Sequence, residues 1–148
     1  MCEFILLPSR PPAIMDRTRA AIKEVIPCDA NEEEIIFDPS KGPFDFIVSS
    51  YCLEAACTSL KSYNQAVSKL SKLLNPGGKL FLAGNLEETF YKVQGNLFDH
   101  LPVTKNDVGN AIESAGMVLE SFECASTKDL EEFTGDNKGT YCVVAMKK

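Results

Sequence analysis

The stretch that most constrains the fold runs from residue 44 to residue 83, where two apolar runs of strand length flank an amphipathic helix. Residues 44–51 are mostly apolar, which is typical of a parallel strand covered on both faces. Residues 62–74 carry apolar side chains at helical spacing. Residues 75–78 (Asn-Pro-Gly-Gly) end this helix, since proline cannot continue it and glycine tolerates positive φ. Residues 79–83 are a second buried strand.

The flanking segments extend the same alternation of strands and helices. Residues 13–24 predict a short helix, residues 25–29 a short strand, and residues 31–43 an acidic loop. Thr104 caps a further helix that Gly116 ends. Residues 117–125 and 140–146 are predicted to form two strands. Between them, residues 134–139 are typical of a turn, and residues 127–133 are long enough for one helical turn. We therefore expect an open α/β sheet whose last two strands pair antiparallel at its edge.

Composition narrows the function classes. The 148 residues fit one domain, and residues 1–15 form an irregular, proline-containing lead-in. A net charge of −6 argues against nucleic acid as a partner. No run approaches the roughly 20 apolar residues that a membrane helix needs. Six cysteines without a CxxC pair, and a single histidine, argue against a metal site and favour free thiols in the cytoplasm.

Strand ends indicate where a ligand would bind. In open α/β sheets, ligands bind beyond the carboxyl ends of the parallel strands. Residues 28–30, 49–51 and 84–86 follow the three strands predicted in the first 86 residues. The topology predicts a site at these positions and does not say what binds there.

Four segments carry a resemblance to a known family. Residues 73–80 resemble the "L-x-P-G-G" turn of class I methyltransferases, and residues 49–57 (SSYCLEAAC) resemble the "CLDAAC" segment of the nicotinamide, phenylethanolamine and indolethylamine N-methyltransferase family. Residues 27–30 resemble that family's "CDV" segment, and residues 137–139 its closing hairpin. The resemblance implies that residues 16–148 are the C-terminal part of an S-adenosylmethionine-dependent methyltransferase domain. Its Rossmann-like sheet would be mostly parallel with an antiparallel C-terminal hairpin.

The resemblance also implies roles for individual residues. Asp29 matches the aspartate that accepts a hydrogen bond from the adenine amino group, and Ala30 matches the residue whose N–H meets the ring. Ser50 and Tyr51 match positions under the methionine portion of S-adenosyl-L-methionine. Tyr91 matches an aromatic residue that lines the acceptor pocket. The residues alone also allow other roles: a turn carboxylate for Asp29, strand packing for Ser50 and Tyr51, and a core aromatic for Tyr91.

The chain departs from the family's pattern where the acceptor would bind. The family usually places an acidic residue at the end of the strand predicted at 79–83, and here that position is Gly84, followed by Asn85. Glu87 and Glu88, one helical turn further on, are candidates to replace it. The alternative for both glutamates is a solvated acidic face.

A second departure concerns the cofactor. The sequence has no glycine-rich strand-to-helix loop and no acidic residue placed after one. In the family, a central strand carrying that loop neighbours the strand at 46–51. We therefore expect an unpaired apolar edge, which makes the isolated chain marginal, oligomeric or an incomplete version of a longer protein.

The leading hypothesis is methyl transfer from S-adenosyl-L-methionine to the nitrogen of a small amine or nicotinamide-like acceptor. The first alternative is a non-catalytic, truncated family member that self-associates, or pairs with a longer paralogue, through the open edge as a binding or regulatory partner. An unrelated α/β nucleotide-binding module is disfavoured because the phosphate loop is missing. Sulfur and selenium acceptors also stay open.

Overall fold

Four helices and six strands make up the part of the chain that the computed structural model describes, namely residues 11–36, 38, 40–126 and 135–148. In chain order they are α1 (Pro11–Ala21), β1 (Phe44–Ser50), α2 (Leu53–Ala56), α3 (Leu60–Lys72), β2 (Leu74–Leu86), β3 (Phe90–Val93), β4 (Asn96–Asp99), α4 (Lys105–Ser114), β5 (Met117–Ala125) and β6 (Gly139–Lys147). The predictions for residues 1–10, for the turn at 127–133 and for Thr134 lie outside the described residues.

Four strands form the main sheet in the order β1-β2-β6-β5. β1 pairs parallel with β2, while β6 pairs antiparallel with both β2 and β5. The predicted α/β class and the antiparallel C-terminal hairpin are confirmed. Only one of the three described pairings within this sheet is parallel, so this part of the sheet is mixed rather than mostly parallel. β6 lies inside the sheet and β5 at its edge.

Helices α3 and α4 pack together and form the core with the sheet. The apolar stripe predicted for α3 is buried, and Ser59 caps the helix by accepting a hydrogen bond from the Ser62 N–H at 3.2 Å. α4 begins after Thr104 as predicted, because Thr104 and Asp107 form a reciprocal capping box. Gly116, with φ of +75°, follows its end. Tyr63, Leu80, Ile112 and Val143 are among the fully buried side chains.

The edge of the sheet differs from the prediction for β1. This strand was expected to be covered on both faces, yet Phe46 and Val48 are 55% and 59% exposed. The prediction of two covered faces is wrong for the described chain, since Phe46 and Val48 line an open cleft beside β1. Among the described strands β2 alone pairs with β1, so the other edge of β1 has no partner strand there, as expected.

Two predictions near the start of the chain are also corrected. α1 begins at Pro11, so residues 11–15 are helical rather than irregular; proline suits a first helical turn because the N–H it lacks would have no helical partner. The strand predicted at 25–29 does not form. Cys28 makes a single isolated bridge with Ile36, and the Asp29 N–H donates to the Ile35 carbonyl at 3.1 Å. This segment therefore folds back on the acidic loop instead of joining the sheet.

A hairpin that the sequence analysis missed follows β2. Strands β3 and β4 pair antiparallel through a two-residue turn at Gln94 and Gly95, whose φ angles are +51° and +85°. Positive φ at both turn residues is typical of a type I′ hairpin. Glu87 and Glu88 precede this hairpin in a turn, with φ of +52° at Glu87, so the prediction of a helical turn there is wrong. No helix in the described ranges is long and apolar enough to cross a membrane.

Candidate functional site

A cleft of about 660 Å³ lies between the segment at 26–36 and the face of β1. Three of the four predicted cofactor residues line this cleft, namely Asp29, Ala30 and Ser50. The fourth, Tyr51, follows Ser50 in the sequence. Its other walls are mainly apolar side chains, including Ile26, Ile35, Ile36, Ile47, Leu53 and Leu70. The cleft can accept a flat apolar ring on these walls.

The loop that carries Asp29 is anchored to the core. The Asp29 carboxylate accepts a hydrogen bond from the Asn31 N–H at 2.9 Å, and the Asn31 side-chain amide donates to the Ala56 carbonyl at 2.9 Å. Asp29 itself is exposed. An exposed carboxylate at an apolar cleft suits a ring that carries an N–H donor, which is the character of adenine.

Tyr51 joins this cleft to a second group of polar residues. Its φ is +52°, a left-handed conformation that is unusual for a bulky residue, and its N–H donates to the Ala83 carbonyl at 2.7 Å. Burial raises the pKa of the Tyr51 hydroxyl, and the neighbouring charges of Cys142, Glu54 and Glu88 add to that rise. Glu54 and Glu88 therefore contribute to the electrostatic environment of the Tyr51 hydroxyl.

The first of these carboxylates explains the missing acid at Gly84. Glu54, from α2, is 1% exposed and fills the space above Gly84, where a Cβ would overlap its carboxylate. It accepts a hydrogen bond from the Tyr141 hydroxyl, which lies 3.0 Å from the Tyr63 hydroxyl. Glu54 was not among the site residues predicted from the sequence. The sequence feature that points to it is an acidic residue in a mostly apolar segment after β1, at the position of the aspartate in the family's "CLDAAC".

Glu88 is the second carboxylate, and it is buried rather than part of a solvated face. It accepts hydrogen bonds from the side-chain amides of Asn85 at 2.7 Å and Asn137 at 3.4 Å, and His100 Nε2 lies 3.4 Å from the same oxygen that Asn85 contacts. Glu87, by contrast, makes an exposed ion pair with Lys138 at 2.6 Å. Of the two candidate glutamates, Glu88 alone belongs to the buried cluster.

Tyr91 lies beside this cluster, on β3. Its ring stacks on Phe98 at 5.3 Å between centroids and meets the His100 ring edge-on at 5.9 Å. Each of these acceptor residues predicted from the sequence contacts a buried side chain of this region. Gly84 packs against Glu54, the Asn85 amide donates to Glu88, and the Tyr91 ring meets His100 edge-on. His100 and Tyr141 were not predicted, because nothing in the linear sequence places either of them near β2.

Asp136 fixes the loop on which Glu88 is carried. Its two carboxylate oxygens accept hydrogen bonds from the Thr89 N–H at 2.7 Å and the Thr89 hydroxyl at 2.6 Å. These hydrogen bonds lower the pKa of Asp136. The loop before β6 and the loop before β3 are therefore held together around the Glu88 side chain. Across the described ranges, no three His, Cys, Asp or Glu side chains are grouped to hold a metal ion.

Comparison with known proteins places these features in context. The model of the NNMT/PNMT/TEMT family matches residues 9–148. Human nicotinamide N-methyltransferase is 32% identical over 132 residues, covering 89% of this chain and 50% of the relative; human phenylethanolamine N-methyltransferase is 31% identical over 132 residues, covering 87% and 47%. The chain thus spans about half the length of these curated relatives.

The fold also matches solved structures. The Burkholderia thailandensis 1,6-didemethyltoxoflavin-N1-methyltransferase, solved with 1,6-didemethyltoxoflavin and S-adenosylhomocysteine bound, superposes with a TM-score of 0.59. Its sequence is 14% identical, and the match covers 95% of this chain and 58% of that one. At this identity the likeness shows a shared methyltransferase fold.

The space above Gly84 yields a stability prediction. Gly84→Ala forces a methyl group against the Glu54 carboxylate and should lower the free energy of unfolding by about 1–3 kcal/mol. Gly109→Ala, in α4, is the matched control, since a Cβ there meets nothing within 4 Å and should add about 0.5–1 kcal/mol of helix stability. Urea unfolding of both variants measures this, and equal effects would contradict the packing described here.

The buried carboxyl group of Glu54 yields a pH prediction. Burial raises its pKa above the ordinary value of 4.5, and the hydrogen bond from Tyr141 offsets part of that rise. Because the folded state then holds the proton more tightly than the unfolded chain, stability falls as the pH rises from about 4.5 through the folded pKa. Glu54→Gln stays neutral and should escape this fall.

The measurement is the free energy of unfolding of wild type and Glu54→Gln at pH 5, 6, 7 and 8. The difference, variant minus wild type, should increase with pH. Glu113→Gln, at an exposed position of α4, controls for the general effect of removing a carboxylate. A difference for Glu54→Gln that is constant across this range would show that Glu54 is not a buried, desolvated acid.

Proposed function

The chain belongs to the NNMT/PNMT/TEMT family, and on that premise we propose that it takes part in methyl transfer from S-adenosyl-L-methionine to the nitrogen of a small amine. One observation carries the proposal: Glu54 and Glu88, both buried, lie at the carboxyl-terminal part of β2, where Glu54 packs on Gly84 and Glu88 accepts a hydrogen bond from Asn85. Two buried acids are costly unless a cation or a proton compensates them. A protonated amine is a ligand that would do so.

The apolar cleft supports the cofactor part of the proposal. The cleft suits the adenine end of S-adenosyl-L-methionine. Asp29 would accept a hydrogen bond from the adenine amino group, and the Ala30 N–H would meet the ring. Ser50 and Tyr51, at the end of β1, would lie along the methionine portion. S-adenosyl-L-methionine supplies a methyl group on a sulfonium that is already a good leaving group. The protein then needs to orient the acceptor and exclude water.

The carboxylates support an amine over a nicotinamide-like ring as the acceptor. An alkylammonium must lose a proton before its nitrogen has a lone pair for the methyl group. Glu54 suits this role, because a carboxyl group with a raised pKa takes a proton more readily than an ordinary one. Glu88, held by Asn85 and Asn137, is placed to keep the ammonium in position. A neutral acceptor makes no use of two buried acids.

Titration with S-adenosylhomocysteine tests the cofactor part. At 100 times its dissociation constant the ligand should raise the free energy of unfolding by roughly 2.7 kcal/mol. Asp29→Ala should weaken binding about tenfold, because a hydrogen bond to a charged group contributes about 1.5–3 kcal/mol. Calorimetry gives the dissociation constants, and thermal unfolding gives the stabilisation.

Asp38→Ala is the matched control for this titration. Asp38 also accepts a hydrogen bond at 2.9 Å from the backbone N–H two residues further on, and it does not line the cleft. Its substitution therefore removes the same kind of turn contact without touching the site. Equal binding by wild type and Asp29→Ala would contradict the assignment of Asp29, and a folded chain that binds nothing would contradict the cofactor proposal.

A second function is supported by the open edge of β1. Phe46 and Val48 project apolar surface beside unpaired backbone groups, and such edges favour association. The chain also spans about half the length of its curated relatives. In this alternative the chain acts as a binding partner, either of a second copy or of a longer family member.

Sedimentation equilibrium tests the alternative. If the edge associates, Val48→Lys should raise the dissociation constant of self-association at least tenfold, because an edge lysine must be desolvated on pairing. Leu97→Lys, at an exposed apolar position of β4, is the control and should leave association unchanged. A wild type that is monomeric at all accessible concentrations, and that captures no longer family member, would exclude this alternative.

A further inference from the structure

One buried side-chain polar atom of the described residues has no hydrogen-bond partner, and it belongs to Asn85. Asn85 is 9% exposed and lies one residue before the end of β2. Its side-chain amide donates to Glu88 Oε2 at 2.7 Å. Only the NH₂ group can donate to a carboxylate, so this contact fixes the orientation of the amide. The Oδ1 atom is left as a buried acceptor without a donor among the described residues.

An orphaned acceptor of this kind is costly. Leaving a buried polar group unsatisfied destabilises the folded state, and a small domain is only marginally stable. Each such atom in a folded protein calls for a reason, such as a bound water or ligand that supplies the missing donor. The position of Asn85 beside Glu88 favours a ligand that also satisfies the carboxylate.

The surrounding groups cannot supply the donor from within the described chain. The amides of Asn85 and Asn137 are directed at Glu88, and the Tyr141 hydroxyl is directed at Glu54. His100 Nε2 also lies 3.4 Å from Glu88. The contacts within this cluster therefore leave Asn85 Oδ1 without a donor, which a ligand with N–H groups would supply.

We propose that Asn85 is a specificity-determining residue whose Oδ1 accepts a hydrogen bond from the ammonium group of the acceptor. The inference rests on the amine acceptor proposed above. An N–H of the ammonium ion contacts Glu88, and a second N–H contacts Asn85. The site then ranks amines by the number of N–H groups that they carry, and not by charge alone.

This arrangement has a consequence for the extent of methylation. Each transfer forms a nitrogen–carbon bond as the sulfur–carbon bond of the sulfonium breaks, and one proton leaves the nitrogen. The product therefore has one N–H fewer than the substrate in its ammonium form. Primary and secondary ammonium ions both carry the two N–H groups that Glu88 and Asn85 require, whereas a tertiary ion carries one and a quaternary ion none. The site therefore discriminates against amines that already carry two or more added methyl groups.

The probe is a series of four cations: benzylammonium and its N-methyl, N,N-dimethyl and N,N,N-trimethyl derivatives. All carry one positive charge and one aromatic ring, while the number of N–H groups falls from three to none. Binding to the full chain is measured by calorimetry, with and without saturating S-adenosylhomocysteine. Wild type should bind benzylammonium more tightly than the trimethyl derivative, and Asn85→Ala should reduce the ratio of their dissociation constants about tenfold.

Asn137→Ala is the matched control, because it also removes an amide donor to Glu88 but leaves the Oδ1 of Asn85 in place. This variant should keep the wild-type ratio. If Asn85→Ala does not fold, the side-chain NH₂ resonances of Asn85 in the wild type provide the second readout. They should shift with benzylammonium and not with the trimethyl derivative.

The outcomes separate the two proposals. A reduced ratio in Asn85→Ala alone supports the role of Asn85. An unchanged ratio in Asn85→Ala, with benzylammonium still bound by wild type, overturns that role and leaves the amine acceptor standing. Failure of all four cations to bind the folded wild type overturns both.

Discussion

The Glu54 carboxylate over Gly84 is the contact on which the arrangement of the site depends. Glu54 comes from α2, Gly84 from β2, and the hydroxyl that Glu54 accepts comes from Tyr141 of β6. Tyr63 of α3 then contacts Tyr141, so one buried polar chain connects two helices with two strands. A glycine at position 84 is what allows the acid to be there.

The parallel pairing of β1 with β2 places the two halves of the site side by side. Ser50 is in register with Ala83, so both strands end at the same edge of the sheet. The apolar cleft with Asp29 lies next to β1, and the two carboxylates lie at the carboxyl-terminal part of β2. Tyr51 follows β1 in a left-handed conformation and donates its N–H to the Ala83 carbonyl of β2, so it joins the ends of the two strands.

Local sequence signals predicted the elements whose causes are local. The helical spacing of α3, the capping box of α4 and the antiparallel pairing of β5 with β6 each depend on residues close in sequence, and all three are confirmed. The strand at 25–29 failed because a strand also needs a partner along its length, which no local pattern reports. β3 and β4 were missed since Gln94-Gly95 is a weaker turn signal than Asn-Gly. The burial of Glu54 depends on Tyr141, 87 residues away, and lies beyond any local reading.

Backbone amide chemical shifts of the ¹⁵N-labelled chain test most directly whether the protein has two adjacent ligand positions. S-adenosylhomocysteine should shift the amides of Asp29, Ala30 and Ser50. Benzylammonium should shift those of Asn85 and Glu88, and either ligand should shift that of Tyr51. Shifts from either ligand that cluster elsewhere, or amides that stay unchanged at millimolar ligand, would contradict the two positions.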